Sequence, residues 1–158
     1  MFWENRILWD DGILIDGTVS DLYQSRNPYV GDISADGRSV QAARAVLGIN
    51  DEALLCYGTQ LQTSEEPYGC TFLNVQISSS DNEERLQQEM KQLGCLLIAV
   101  TDNLGYVSFE YCVDGTENSD GSTTLTVTEA DADALAGQSV KEMSQTPAGL
   151  QKLVELIK

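Results

Sequence analysis

The sequence predicts an α+β fold: an antiparallel sheet of about four strands, arranged as two hairpins, packed by a long central helix and followed by additional C-terminal helices. Three observations predict it. Strand-like runs come in two adjacent pairs instead of alternating singly with helices, which argues against a parallel doubly wound sheet. One sustained helical stripe lies between the two pairs. Short segments with recognisable caps then close the chain. At 158 residues the length suits one domain. We read 1–158 as that domain, with residues 1–26 as an N-terminal arm and 129–158 as a helical tail packed on it.

The arm holds two short apolar runs, Ile7–Trp9 and Ile13–Ile15, broken by Asp10-Asp11-Gly12 and Asp16-Gly17. Asp-Gly pairs are turn signals, so the arm is either a strand pair or an irregular segment. Asp21–Arg26 suits a short helical turn before Pro28. Ser34–Leu47 reads as a helix: Val40, Ala43 and Leu47 recur at helical spacing, and Gly48 is a natural stop. Ala53–Gln62 places Leu55, Tyr57 and Leu61 on one parity; Tyr68–Ser78 does the same for Leu73, Val75 and Ile77. The loop Thr63–Pro67 joins them as a hairpin.

Ser80 and Glu83 form a capping box. Leu86, Met90, Leu93, Leu97, Val100 and Leu104 then make one stripe, with Gly105 as the expected cap. Gly94 inside it costs about 1 kcal/mol relative to Ala. In Tyr106–Val113, the residues Val107, Phe109, Tyr111 and Val113 share a face. Ser122–Thr128 returns with Leu125 and Val127 inward. Thr128 caps Glu129–Ala136, Gly137 stops it, Val140–Met143 adds a turn, and Thr146-Pro147 opens a last helix with Leu150, Leu153, Val154 and Ile157 on its apolar side.

Composition excludes several functions. Nine Lys and Arg stand against 25 Asp and Glu, a formal charge of −16, and there is no histidine. Scattered bases in a negative field argue against nucleic acid and anionic membrane surfaces. Without histidine, the usual general base, the Ser-His-Asp and Cys-His arrangements and the commonest zinc ligand are all missing. No apolar run approaches the ~20 residues of a membrane span, so direct membrane insertion is not expected. No cofactor is expected either, since no Gly-rich phosphate loop follows a strand.

Four cysteines lack any C-x-x-C spacing, which argues against structural zinc. Cys56, Cys70 and Cys112 each sit on the parity opposite their strand's most apolar side. They are candidates for a disulfide on the sheet's second face, or are separate packed thiols. The loop Asp114–Asp120 offers oxygen ligands without EF-hand spacing and reads as an exposed hairpin loop. Tyr23, Tyr29 and Tyr68 lie in or beside loops, where aromatics either line binding grooves or plug core ends. No residue is singled out as catalytic and none as a metal ligand.

Three segments, Asn27-Pro-Tyr-Val-Gly-Asp32, Leu61-Gln-Thr-Ser-Glu-Glu-Pro-Tyr-Gly69 and Asp102-Asn-Leu-Gly-Tyr-Val-Ser-Phe109, together resemble an uncharacterised Firmicutes domain family over roughly Asp21–Val113. That domain occurs in small exported or membrane-anchored proteins. It also occurs C-terminal to the membrane region of sensor-type zinc metallopeptidases similar to β-lactam-response antirepressors. The family pattern often has Asn after the Gly-Asp of the first segment; here Ile33 follows Asp32. This chain has no His-Glu-x-x-His segment, so the peptidase chemistry does not carry over.

The resemblance implies a non-catalytic, extracytoplasmic domain, a sensor or a module binding a small ligand or a protein of unspecified identity. Tyr29, Asp32 and Tyr68 are its candidate ligand-binding residues. The alternative is a structural module working through a protein interface, and a carboxylate- or thiol-based enzyme ranks behind both.

Overall fold

The computed structural model describes residues 9–10, 12–31, 33–49, 58–77, 83–113 and 123–158. Asp32, Cys56, Ser80 of the expected capping box, and the loop Asp114–Asp120 lie outside the described residues.

The arm contains a strand pair. β1 (Trp9–Asp10) and β2 (Ile13–Leu14) run antiparallel, and Gly12 takes a φ of 76° at the turn. Helix α1 (Gly17–Gln24) begins earlier than expected because the Asp16 side chain accepts the Thr18 N–H at 2.9 Å. That bond satisfies an orphan donor of the first turn, and the Thr18 hydroxyl, with the Thr18 N–H second, holds the Asp16 carboxyl below its ordinary pKa. Helix α2 (Ile33–Leu47) ends at Gly48, which has a φ of 68°.

Strands β3 (Gly58–Gln62), β4 (Tyr68–Ile77), β5 (Leu104–Val113) and β6 (Thr123–Thr128) form one sheet in that order. Both expected hairpins are present, β3–β4 and β5–β6, each antiparallel. The sheet is nevertheless mixed, not antiparallel, because β4 and β5 pair in parallel. The cause is α3 (Glu83–Val100) between them. Eighteen helical residues span ~27 Å, about the length of β4, so the chain returns to the end where β4 began. β5 must then run alongside β4 in the same direction.

Leu93 to Val100 are all buried. The apolar run Cys95–Val100 is a helix enclosed on several sides: it contacts β5 and β6, α2, and the tail helices α4 (Glu129–Ala136) and α5 (Val140–Met143). Gly94 has a packing reason. A β-carbon there would lie 3.0 Å from Val127 and 3.6 Å from Val107, so its absence lets α3 settle onto β5 and β6. The stripe ends sooner than its period suggests. Leu104 is the first residue of β5, and Gly105 is a strand residue whose added β-carbon would meet Pro67 at 2.7 Å.

A bulge corrects the expected parity of β4. Phe72 pairs with Phe109 but Val75 with Tyr111, so β4 spends three residues where β5 spends two. The core side therefore carries Cys70, Phe72 and Val75, with Phe72 and Phe109 stacked at 5.2 Å. Cys70, opposite the buried Val107, sits on the α3 side of the sheet and not on its second face.

The tail follows its caps. Thr128 and Asp131 form a reciprocal capping box on α4, Gly137 closes it with a φ of 77°, and Thr146 caps α6 (Pro147–Ile157). Leu150, Leu153, Val154 and Ile157 are buried. The arm docks on this last helix: Asp10 accepts the Ala148 N–H, and Gln151 bonds the backbone of Leu14 and Asp16.

Candidate functional site

The three segments singled out above meet at one corner, where α3 turns into β5. Asn27 donates its N–H to the Val100 carbonyl and accepts the Asp102 N–H. Its amide side chain grips both backbone groups of Tyr29. Asn103 accepts the Val30 N–H at 2.7 Å. From the other side, Tyr68 pairs with Leu104 and Gly69 with Tyr106. Gln62 organises the loop between, accepting the N–H groups of Ser64 and Glu65 and donating to the carbonyls of Glu65 and Pro67.

Lys141 closes the corner from the tail. Its Nζ lies 2.8–3.0 Å from the carbonyls of Ile98, Thr101, Asp102 and Leu104, which share its three N–H donors. The cation serves the last turn of α3 through Ile98 and the turn after it through Thr101, Asp102 and Leu104, and it complements the helix dipole. Burial lowers the Lys141 pKa, opposed by the carboxylates of Glu129, Asp102 and Asp133. Ser144 adds a hydroxyl bond to the Ala99 carbonyl.

A groove of about 530 Å³ opens beside this corner. Pro67, Gly105, Tyr106, Ser108, Thr126, Thr128 and Glu129 line it. Ser108 and Thr126 face each other across β5 and β6, hydroxyl to hydroxyl at 2.9 Å. The buried Val107 and Val127 take the alternate parity towards α3, so the groove lies on the sheet face that α3 does not cover. Tyr106 lies flat across Gly69: a β-carbon there would fall 1.9–2.3 Å from three atoms of the ring.

The expected site residues fall only partly here. Tyr29 is 66% exposed and Tyr68 half-buried. Their backbones approach the 101–104 turn from opposite sides, yet neither lines the groove. Asp32 lies outside the described residues. Of the cysteines, Cys70 and Cys112 cannot pair with each other. Cys70 sits opposite Val107 and Cys112 opposite Gln76, five β5 positions or ~16 Å apart, where a disulfide needs α-carbons within ~7 Å. Cys112 is a free, half-buried thiol. Cys95 is enclosed, and burial pushes its thiol up to about 12, so it stays protonated and inert.

Sequence reasoning missed Tyr106, Ser108, Thr126, Thr128, Glu129 and Lys141. A signal existed for the first four: Tyr106 and Ser108, and Thr126 and Thr128, share the polar parity of two strands already read as a hairpin. Lys141 gave no signal, because its partners are backbone carbonyls about forty positions away.

Chemically, the groove offers hydroxyls, one aromatic face and one carboxylate. Among the described residues, no group of three or more Cys, Asp or Glu side chains is placed to hold a metal ion, and no helix is long and apolar enough to cross a membrane.

The family profile of the domain of unknown function DUF4825 matches residues 22–126, more than half of the chain. The chain belongs to the DUF4825 family. No curated protein and no solved structure matches it. The DUF4825 span runs from within α1 into β6. It takes in all three corner segments and most of the groove. Thr128, Glu129 and Lys141 lie just beyond it, so the tail supplies the groove's carboxylate and the corner's cation.

Proposed function

We propose that this DUF4825 domain is a non-catalytic extracytoplasmic module that captures a ligand or a protein segment on the open face of its sheet. The groove at Tyr106, Ser108, Thr126 and Glu129 carries the reading. Its walls come from two paired strands and a helix start, so the polar groups are held in place before anything binds. Catalysis is not part of the reading, since the groove holds neither a thiol nor a pair of carboxylates among its lining residues. The extracytoplasmic location and the sensor role rest on the resemblance to the Firmicutes domain found in exported proteins and beside metallopeptidase sensors.

A fragment screen on ¹⁵N-labelled protein tests the binding role. Hits should shift the amides of Tyr106, Ser108 and Thr126. Hits that cluster elsewhere and leave those amides unmoved overturn it. Protease accessibility of the native protein on intact cells tests the location.

A second reading, a module that works through an assembly interface, draws on the exposed Trp9, Ile13 and Leu14 of the N-terminal hairpin. Sedimentation over a wide concentration range separates the two, as a concentration-dependent mass belongs to the second alone.

A further inference from the structure

The groove borders an edge strand. β6 is the last strand of its sheet, and no described strand pairs with its outer side. Edge strands are usually blunted by Lys, Pro, an inward charge or a bulge, because their free N–H and C=O groups recruit other chains. β6 reads Thr-Thr-Leu-Thr-Val-Thr and pairs with β5 without a register shift. Among its described residues β6 carries no Lys, Pro, charge or bulge. Thr124, Thr126 and Thr128 are exposed on it.

Charge is segregated around that edge. No Lys or Arg occurs between Arg44 and Arg85, or between Lys91 and Lys141. These two stretches contain all four strands of the sheet. Acids occur there freely. Glu129 lines the groove, Glu110 shares the parity of Tyr106 and Ser108, and Glu65 and Glu66 precede the lining residue Pro67. Lys141, held by the carbonyls of the corner, keeps its charge and offsets part of the Glu129 carboxylate. The two stretches that hold the four strands therefore carry acids and no base of their own, and the bias of charge along them is negative.

We propose that the occupant is a basic, extended segment of a partner protein that adds to β6 as a further strand. Main-chain bonds to the β6 edge supply its register. Alternate side chains then point across the open face, and one Lys or Arg enters the groove. There the cation lies against the flat Tyr106 ring and meets the Glu129 carboxylate. Charge complementarity selects a basic strand over an acidic one. This inference rests on the groove reading above and names its partner class.

Three synthetic peptides test it on ¹⁵N-labelled protein: a three-repeat Lys-Val peptide, its Glu-Val counterpart, and a Lys-Val peptide N-methylated at alternate residues, which cannot pair along one edge. The Lys-Val peptide should saturate shifts at Tyr106, Ser108, Thr124–Thr128 and Glu129, and weaken with added salt. Glu129→Gln should weaken it roughly 2- to 5-fold, the scale of one partly exposed charge pair, while Glu155→Gln on α6 should not. Equal binding by the N-methylated peptide, equal loss in both variants, or shifts scattered over the acidic surface overturns the inference. A Glu-Val peptide that saturates the same amides as tightly overturns the basic partner but leaves the groove's binding role standing.

Discussion

The Tyr106 ring rests on the α-carbon of Gly69, across the parallel pair of central strands. A β-carbon at Gly69 would lie 1.9 Å from the ring's Cζ. The glycine exists because an aromatic ring occupies the space of its side chain, and the ring in turn floors the groove.

Gly69→Ala must therefore expel Tyr106 or part the strands. We expect a loss of ~1–3 kcal/mol, the usual cost of overpacking, seen as a fall in Tm of a few degrees to about ten. Tyr106→Ala in the same background should recover part of the loss, because it empties the contested space. Equal stability of Gly69→Ala and the parent by thermal denaturation would show that the ring does not lie there.

Lys141→Met keeps the stem and removes the cation. Four carbonyls at the α3–β5 corner then lose the ammonium, although Thr101 keeps the Leu104 N–H. We expect ~2–4 kcal/mol of destabilisation, since breaking bonds from a charged donor strands buried acceptors. Chemical denaturation measures it. Hydrogen exchange should also rise at Ser144 and Asn27, whose bonds converge on the same turn. A loss within experimental error would mean that the corner does not need the tail.

Gly94→Ala sets two effects against each other. Helix propensity favours Ala by ~1 kcal/mol. Against it, the new methyl would sit 3.0–3.1 Å from Val127, a buried β-branched residue with little room to move. We expect packing to win and the variant to be less stable by up to ~1 kcal/mol. In a Val127→Ala background the loss should shrink, because the Cγ2 contact at 3.0 Å is gone while the Cβ contact at 3.1 Å remains. A double-mutant cycle checks this directly.

Cys95 makes a pH-dependent contribution. Burial, with Asp133 as a lesser cause, raises its thiol from 9.0 in the reference state to about 12. The folded state then holds its proton where the unfolded state loses it. The thiol's share of stability is whole below pH 9 and is lost as pH climbs towards 12. The parent should lose stability on alkalinisation more steeply than Cys95→Ala in that window. Parallel curves in denaturant titrations at rising pH would contradict it. At neutral pH, alkylation mapped by mass spectrometry should reach Cys112 well before Cys95.

Much of the fold was readable because it is local. The cap at Thr128, the Thr146-Pro147 start and the stops at Gly48 and Gly137 depend on neighbours a few residues away. The hairpins followed from alternation and from the polar loops between the paired runs. The parallel central pair was missed because it is a property of three elements together, although the length of α3 beside that of β4 already implied it. The Cys70 parity failed at a bulge, where a single extra residue exchanges the two faces. Tyr29 and Tyr68 were chosen as loop aromatics. The groove uses Tyr106, a strand aromatic whose importance depends on a glycine opposite it.

The amino-acid sequence by itself determined the helices and hairpins, the acidic field and the absence of histidine chemistry, because these are written in spacing and composition. Tertiary structure alone decided that three distant segments form one corner, that Lys141 caps a helix not its own, and that the polar parities of β5 and β6 share a groove with Glu129. Those relations join residues through carbonyls and contacts common to every amino acid, which leave no pattern along the chain.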